Sequence, residues 1–158
     1  MTMTPTDAWT DRLRAAGLRV TPRRLAVLGA LDAHPHSSAD EVHEFAAEAA
    51  TLTRQGVYVM LNEFVERGIV RRITPPGSPS RYETRTDDNH HHLVCDDCGV
   101  IHDVDCAVGE APCLEPGDAA GFEVHTADVT YFGLCPSCRV AAGDPDAVPA
   151  SHDHHPKH

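Results

Sequence analysis

Aromatic side chains are scarce in this chain, at 5% of 158 residues. A core must therefore be built mainly from Leu, Val and Ala. Long apolar runs are missing as well: no stretch approaches the roughly 20 residues needed to cross a bilayer. Residues Met1 to Thr10 lack the charged-then-apolar pattern of a secretory signal. The expectation is a cytoplasmic protein with no membrane partner. Basic charge is also in short supply, with 13 Lys and Arg against 24 Asp and Glu and a formal net charge of −11. Taken as a total, this argues against a nucleic-acid coat or a polybasic membrane binder, because either needs a basic surface.

The distribution of charge says more than the total. Residues 1–86 hold 11 Arg against 10 acidic residues, a balance of +1, whereas residues 87–158 hold 2 basic against 14 acidic residues, a balance of −12. All six Cys and nine of the 12 His lie in the acidic part. A chain of this length fits one ordinary domain or two very small ones, and the split favours two with different partners. The first is suited to DNA and the second to cations.

The first part reads as short helices followed by a hairpin. Trp9, Leu13 and Ala16 fall at helical spacing before Gly17. Thr21-Pro22 is an N-cap followed by Pro at the first helical position, and Leu25, Leu28 and Leu31 form one stripe behind it. Ser38-Ala39-Asp40-Glu41 is a capping box opening a helix whose inward residues are expected to be Val42, Phe45 and Ala49. The most periodic segment follows. Val57, Met60, Leu61, Phe64 and Val65 share one face, Thr53 can cap the start and Gly68 the end. The opposite face carries Arg54, Gln55, Tyr58 and Asn62. Residues 69–73 and 81–85 read as strands around the turn 75–79.

Helices followed by a basic-edged hairpin give the order of a winged helix-turn-helix. In that arrangement the second helix of the motif enters the major groove and the hairpin reaches the backbone. Arg54, Gln55 and Tyr58 would face DNA at the start of that helix, with Arg71, Arg72 and Arg81 flanking the wing. A small helical bundle with a solvated Arg face fits the same pattern.

Cysteine organises the second part. Cys95-Asp96-Asp97-Cys98 and Cys135-Pro136-Ser137-Cys138 are two CxxC pairs with 36 residues between them. Four thiolates close a tetrahedral zinc site with no open position, and the gap requires a small subdomain to bring the pairs together. Disulfides, a redox CxxC and an iron–sulfur cluster are the competing readings. The signatures of catalytic zinc, HxE…PCxxC and HExxH, do not occur, so neither a hydrolase nor a deaminase is expected. Cys106 and Cys113 are left over, as core thiols, redox sensors or a disulfide pair.

If residues 90–94 form a strand, His90 and His92 project to one face and His91 to the other. Two imidazoles on one face are half of a divalent-metal site. Glu83, Asp103 and His36 are the candidates to complete it. Such a site would bridge the two domains and couple metal binding to DNA affinity.

Over nearly all of residues 8–140 the sequence resembles the Fur family of bacterial metal-dependent repressors. The resemblance rests on Leu18-Arg19-Val20-Thr21-Pro22-Arg23-Arg24, on His36 before the helix at Ser38, and on Arg81-Tyr82-Glu83. Its most specific parts are the run from His90 to Gly99 and Tyr131-Phe132-Gly133-Leu134-Cys135. Asn89 to His92 and the run from Asp103 to Leu114 resemble the FurA branch, associated with catalase-peroxidase control. The resemblance implies an α+β homodimer. Each chain would have an N-terminal winged helix-turn-helix domain (1–86) and a small C-terminal α/β dimerisation domain (87–140) with one structural Zn²⁺ on Cys95, Cys98, Cys135 and Cys138. It implies a regulatory Fe²⁺ or Mn²⁺ on His36, Glu83, His90 and His92, with Asp103 in the place of a further carboxylate ligand. It adds Arg19, Thr21 and Arg23 to the DNA-binding residues, and an inverted-repeat operator in double-stranded DNA as partner. A ferrous site of this kind reacts with peroxide by oxidising a ligating His. Sensing of zinc, nickel or manganese is the alternative signal.

Three departures from the family pattern are visible. Thr84 stands where the peroxide-sensing branch has Asp, Val59 where many members have Arg, and Ala127 where a second metal site commonly has His. The candidates for that second site are His91, Glu110 and His125. Residues 141–158 lack apolar periodicity and read as a disordered, His-rich tail.

Overall fold

The computed structural model describes residues 4–86, 90–105, 120–123 and 129–148. It divides into two compact units, Met1–Asp87 and Asp88–His158. Among the described residues no helix is long and apolar enough to cross a membrane.

The first unit contains α1 (Pro5–Ala15), α2 (Pro22–Ala33), β1 (Ser37–Ser38), α3 (Ala39–Ala46), α4 (Arg54–Glu66), β2 (Arg71–Ile73) and β3 (Arg81–Glu83). Each helix begins on a hydroxyl. Thr4, Thr21, Ser38 and Thr53 accept from the backbone N–H three residues on, and Thr4 and Ser38 complete capping boxes with Asp7 and Glu41. α1 and α4 stop in the same way. Gly17 and Gly68 take the left-handed conformation, at φ 73° and 68°. The next residue then donates back to the helix: Leu18 to Leu13 at 2.8 Å and Ile69 to Phe64 at 2.9 Å. This turn drives Leu18 and Ile69 into the core, where they join Trp9, Leu28, Leu61 and Phe64.

Three sequence expectations change here. Phe45 and Ala49 do not point inward. α3 ends at Ala46 and buries Ala39, Val42 and Ala46, while Phe45 is 41% exposed with its ring stacked on His34 at 4.1 Å. The two small alanines supply the packing face against α2 and α4, so the bulky ring is left at its edge. The hairpin strands are shorter than 69–73 and 81–85, because Ile69 and Val70 are taken by the turn ending α4. At the other end Arg12 donates to Thr84 O (3.4 Å) and Thr86 Oγ1 (2.8 Å), drawing the chain away from β3 towards α1. Finally, β1 adds a strand that periodicity did not reveal. The sheet order is β1-β3-β2, with Ser37 opposite Tyr82 and Arg71 opposite Glu83. β3 is therefore central, and the residue before β1 is brought beside Glu83.

The second unit is a three-stranded sheet, β4 (His90–Cys95), β5 (Ile101–Asp105) and β6 (Thr130–Gly133), followed by α5 (Pro136–Ala141). β4 is central, antiparallel to β5 and parallel to β6. Helices and small sheets together give the α+β class expected. α5 runs past the boundary drawn at residue 140, and Arg139 then holds Asp144 at 2.7 Å in a turn beyond it. The tail histidines, from His152, lie outside the described residues, as do Cys106 and Cys113.

Candidate metal centres and nucleic-acid interface

The two CxxC pairs meet. Cys95 ends β4, Cys98 closes the turn after it, Cys135 caps α5 and Cys138 lies in its first turn. All four sulfurs lie within 4.8 Å of one another, and Cys98 and Cys135 are 3.8 Å apart. A tetrahedral ion with Zn–S of about 2.3 Å needs sulfurs about 3.8 Å apart, so the set fits zinc. The thiols are free, which removes the disulfide reading for these four.

The backbone favours the thiolate form at one of the four positions, Cys95. Burial opposes ionisation of Cys95, but the N–H groups of Cys135, Cys98 and Asp97 outweigh it and pull the thiol down to about 6. The Cys135 N–H reaches Cys95 Sγ at 3.3 Å. The Cys138 thiol is pushed up instead, first by Asp97 and then by burial and the neighbouring sulfurs. Burial raises Cys98 too. Binding as thiolates, sulfurs at this spacing would repel one another without a cation among them, and a structural zinc would supply that charge.

The other ligand candidates form one set in each unit. In the first, His36 has φ of 61°, a left-handed conformation rare for a side chain other than glycine. Its N–H donates to Tyr82 O at 2.8 Å, which fixes this conformation against β3. The imidazole Nε2 then lies 3.1 Å from Glu83 Oε2. Glu83 is 1% exposed, and its other oxygen lies 3.6 Å from Arg71 Nη1.

In the second unit, the period of β4 puts His90 and His92 on one face, and both are buried. Their Nε2 atoms are 3.1 Å apart, and Asp103 Oδ1 lies 3.8 Å and 3.6 Å from them. Two nitrogens in adjacent positions on an ion at about 2.1 Å would be about 3 Å apart, so this pair fits a metal. Asp103 is directly opposite His92 in the register, and Asp105 is opposite His90.

His91 is buried on the other face with its ring edge-on to Tyr131, and neither ring nitrogen has a hydrogen-bond partner among the described residues. Its expected companions Glu110 and His125 lie outside the described residues.

The presumed DNA face of α4 is exposed at Arg54, Gln55, Tyr58 and Asn62, and Val59 is 56% exposed beside them. Arg19 and Arg23 are exposed too, whereas the Thr21 hydroxyl is engaged as the cap of α2. The arginines differ in availability. Arg72 is exposed, with Asn62 Oδ1 at 3.4 Å, and Arg54 reaches Asp40 at 3.1 Å from the surface. Arg81 is drawn to Glu41 at 2.7 Å and Arg71 to Glu83, both more buried.

A winged-helix unit, together with a sheet unit that gathers a four-cysteine site, defines a metal-dependent transcriptional regulator. The model of the ferric uptake regulator family matches residues 15–132. The chain belongs to that family. It is 51% identical to the transcriptional regulator FurA of Mycobacterium tuberculosis over 136 residues, covering 84% of this chain and 91% of that protein. It is 32% identical to the peroxide-responsive repressor PerR of Staphylococcus aureus, covering 80% and 86%. The solved ferric uptake regulator of Pseudomonas aeruginosa with manganese superposes with a TM-score of 0.69 at 30% identity, over 80% of this chain and 97% of that one. These relatives are regulators, and the chain is not an enzyme.

Proposed function

We propose that this protein is a cytoplasmic repressor that binds an inverted-repeat operator as a homodimer when Fe²⁺ is present and releases it on exposure to peroxide. Residues 1–86 would read DNA and residues 87–140 would dimerise. The observation that carries the reading is the pair of ligand sets, His36 with Glu83 and His90 with His92 and Asp103. Each holds ligand atoms 3.1 Å apart. In this reading the two sets serve one regulatory ion, and the four cysteines hold a separate structural zinc.

The residues perform distinct tasks. His36 and Glu83 lie at the root of the wing, so ligation there is felt by the hairpin. His90 and His92 extend from the central strand of the other unit. An ion shared by both sets restricts the angle between the units, and only one angle suits two adjacent half-sites. Leu93 and Tyr131, paired in register and both about half exposed, offer an apolar sheet face to a second copy. Iron held by these residues would supply reactivity towards peroxide, and a His oxidised there would no longer serve as a ligand. By the resemblance to the FurA branch, the proposed targets are oxidative-stress genes such as catalase-peroxidase.

The test is DNA binding measured anaerobically, ion by ion, on a duplex selected from a random pool. Fe²⁺-dependent binding that peroxide abolishes, with a mass gain of one oxygen on His36 or His90, is expected. A response confined to zinc, nickel or manganese would favour the alternative signal. The manganese in the Pseudomonas aeruginosa structure keeps that ion among those to be tried.

A further inference from the structure

Arg19 lies in the loop between α1 and α2, and that loop is held in three ways. Leu18 turns into the core behind the left-handed Gly17. Arg67, at the end of α4, donates to Ala16 O at 3.4 Å from an exposed position. Arg24, in the first turn of α2, donates from Nη1 to Arg19 O at 2.8 Å. The other arm of the same guanidinium donates from Nη2 to Glu63 Oε2 on α4 at 2.6 Å. One planar fork therefore spans the backbone of Arg19 and a side chain of α4, and its fixed geometry sets how far apart they lie. Glu63 follows Asn62 and lies one turn beyond Val59, so the tie falls at the edge of the exposed face of α4. Arg19 is exposed, whereas the Arg24 side chain is only 17% exposed with both arms engaged.

We propose that Arg24 is a positioning residue for DNA binding. It fixes Arg19 beside the exposed face of α4, so that both meet the operator in one register, and it makes no contact with DNA itself. The inference rests on Arg19 and α4 being DNA contacts, as residues 1–86 are read above. A loop that has to be ordered on binding loses backbone entropy that a held loop has already given up. Arg24 imposes that order before DNA arrives. Without it the loop keeps the core contact of Leu18 and the longer, exposed bond from Arg67, both on the near side of Arg19.

The full chain, with its zinc retained and Mn²⁺ saturating as a redox-stable probe, is tested on the duplex selected from a random pool. DNA affinity is measured against salt for the native chain, Arg19→Gln, Arg24→Gln and the double variant. Arg19→Gln should lower the salt slope by about one per protomer, the mark of a lost phosphate contact. Arg24→Gln should lower it by nearly as much, although it touches no phosphate. The double variant should match Arg19→Gln, because both changes remove the same contact. A purely structural role would move the unfolding midpoint and leave the slope unchanged, and that result overturns the proposal. A loss of about two per protomer in the double variant also overturns it, since Arg24 would then touch DNA itself. Arg24→Gln combined with Glu63→Gln separates holding from charge masking. It should keep the lowered slope, whereas a return to the native slope would mean that an uncovered Glu63 was the whole effect. Arg24→Lys keeps the charge but loses the fork, and supplies the reading if the Gln variant loses zinc or its cooperative melt. Its slope should also fall, and a native slope there overturns the proposal. An Arg19→Gln slope equal to the native one removes Arg19 from the DNA contacts and the inference with it. A loss in Arg19→Gln with none in the Arg24 variants refutes the role of Arg24 alone.

Discussion

Cys95 shares strand β4 with His90 and His92, and in the proposed function they have different work. Cys95 and His92 are three residues apart on β4, yet Cys95 points into the sulfur cluster and His92 towards His90 and Asp103. Structural zinc supplies apparent binding energy of about 10–16 kcal/mol in zinc-finger peptides, comparable to the whole stability of a domain. Cys95→Ser should therefore abolish zinc retention and leave the second unit unfolded or unable to dimerise. His92→Ala removes a ligand of the proposed regulatory set only. It should keep full zinc content and a cooperative melt while losing the metal response in DNA binding. Zinc analysis and a binding assay on the two purified variants check this. Equal loss of fold in both would mean that the sites are not separate.

At the scale of elements, helix ends carry much of the specification. Gly68 has φ of 68° and open space around its Cα, so an added methyl meets no atom. The cost of Gly68→Ala is then the left-handed backbone alone, about 1–2 kcal/mol. It should appear as a lower denaturant midpoint with an unchanged slope. Glu41 links two elements, accepting from Ser38 at the start of α3 and from Arg81 on β3. Burial alone would raise its carboxyl, but the Ser38 hydrogen bonds and the Arg81 charge hold it below the ordinary 4.5. A depressed carboxyl stabilises the fold above its ordinary value, and the effect fades as pH falls below 4.5. Glu41→Gln should cost about 0.5–1 kcal/mol near neutrality, solvent screening keeping it small. The gap should close on acidification in paired denaturation curves. These caps were legible because they are local: Thr21, Ser38, Thr53 and Gly68 declare themselves by neighbours three residues away. β1 was not, since two serines have no period and form a strand only by pairing with Tyr82 and Arg81. The same limit applied at the site. His36, His90 and His92 could be named from spacing and resemblance, whereas the opposition of Arg71 to Glu83 arises from a cross-strand register that no local pattern encodes.

For the whole molecule, a net charge of −11 and a DNA partner have to be reconciled. The first part carries +1 and the rest −12. DNA must therefore be met by a few well-placed arginines, because overall attraction is lacking. The structure sorts them. Arg19, Arg23, Arg54 and Arg72 are at the surface, whereas the side chain of Arg81 is only 18% exposed and held by Glu41. Each phosphate contact contributes about 0.9 to the slope of log affinity against log salt. Four surface arginines in each protomer therefore set an upper bound of about 3.6 per protomer for that group. Arg72→Gln should lower the slope by about one per protomer and leave stability nearly unchanged. Arg81→Gln should do the reverse, lowering the unfolding midpoint while barely moving the slope, because its charge is already spent on Glu41. Salt-dependent binding and denaturation of the two variants decide it. A large slope change in Arg81→Gln would mean that the Glu41 pair opens when DNA binds, and that the wing is remodelled rather than docked as it stands.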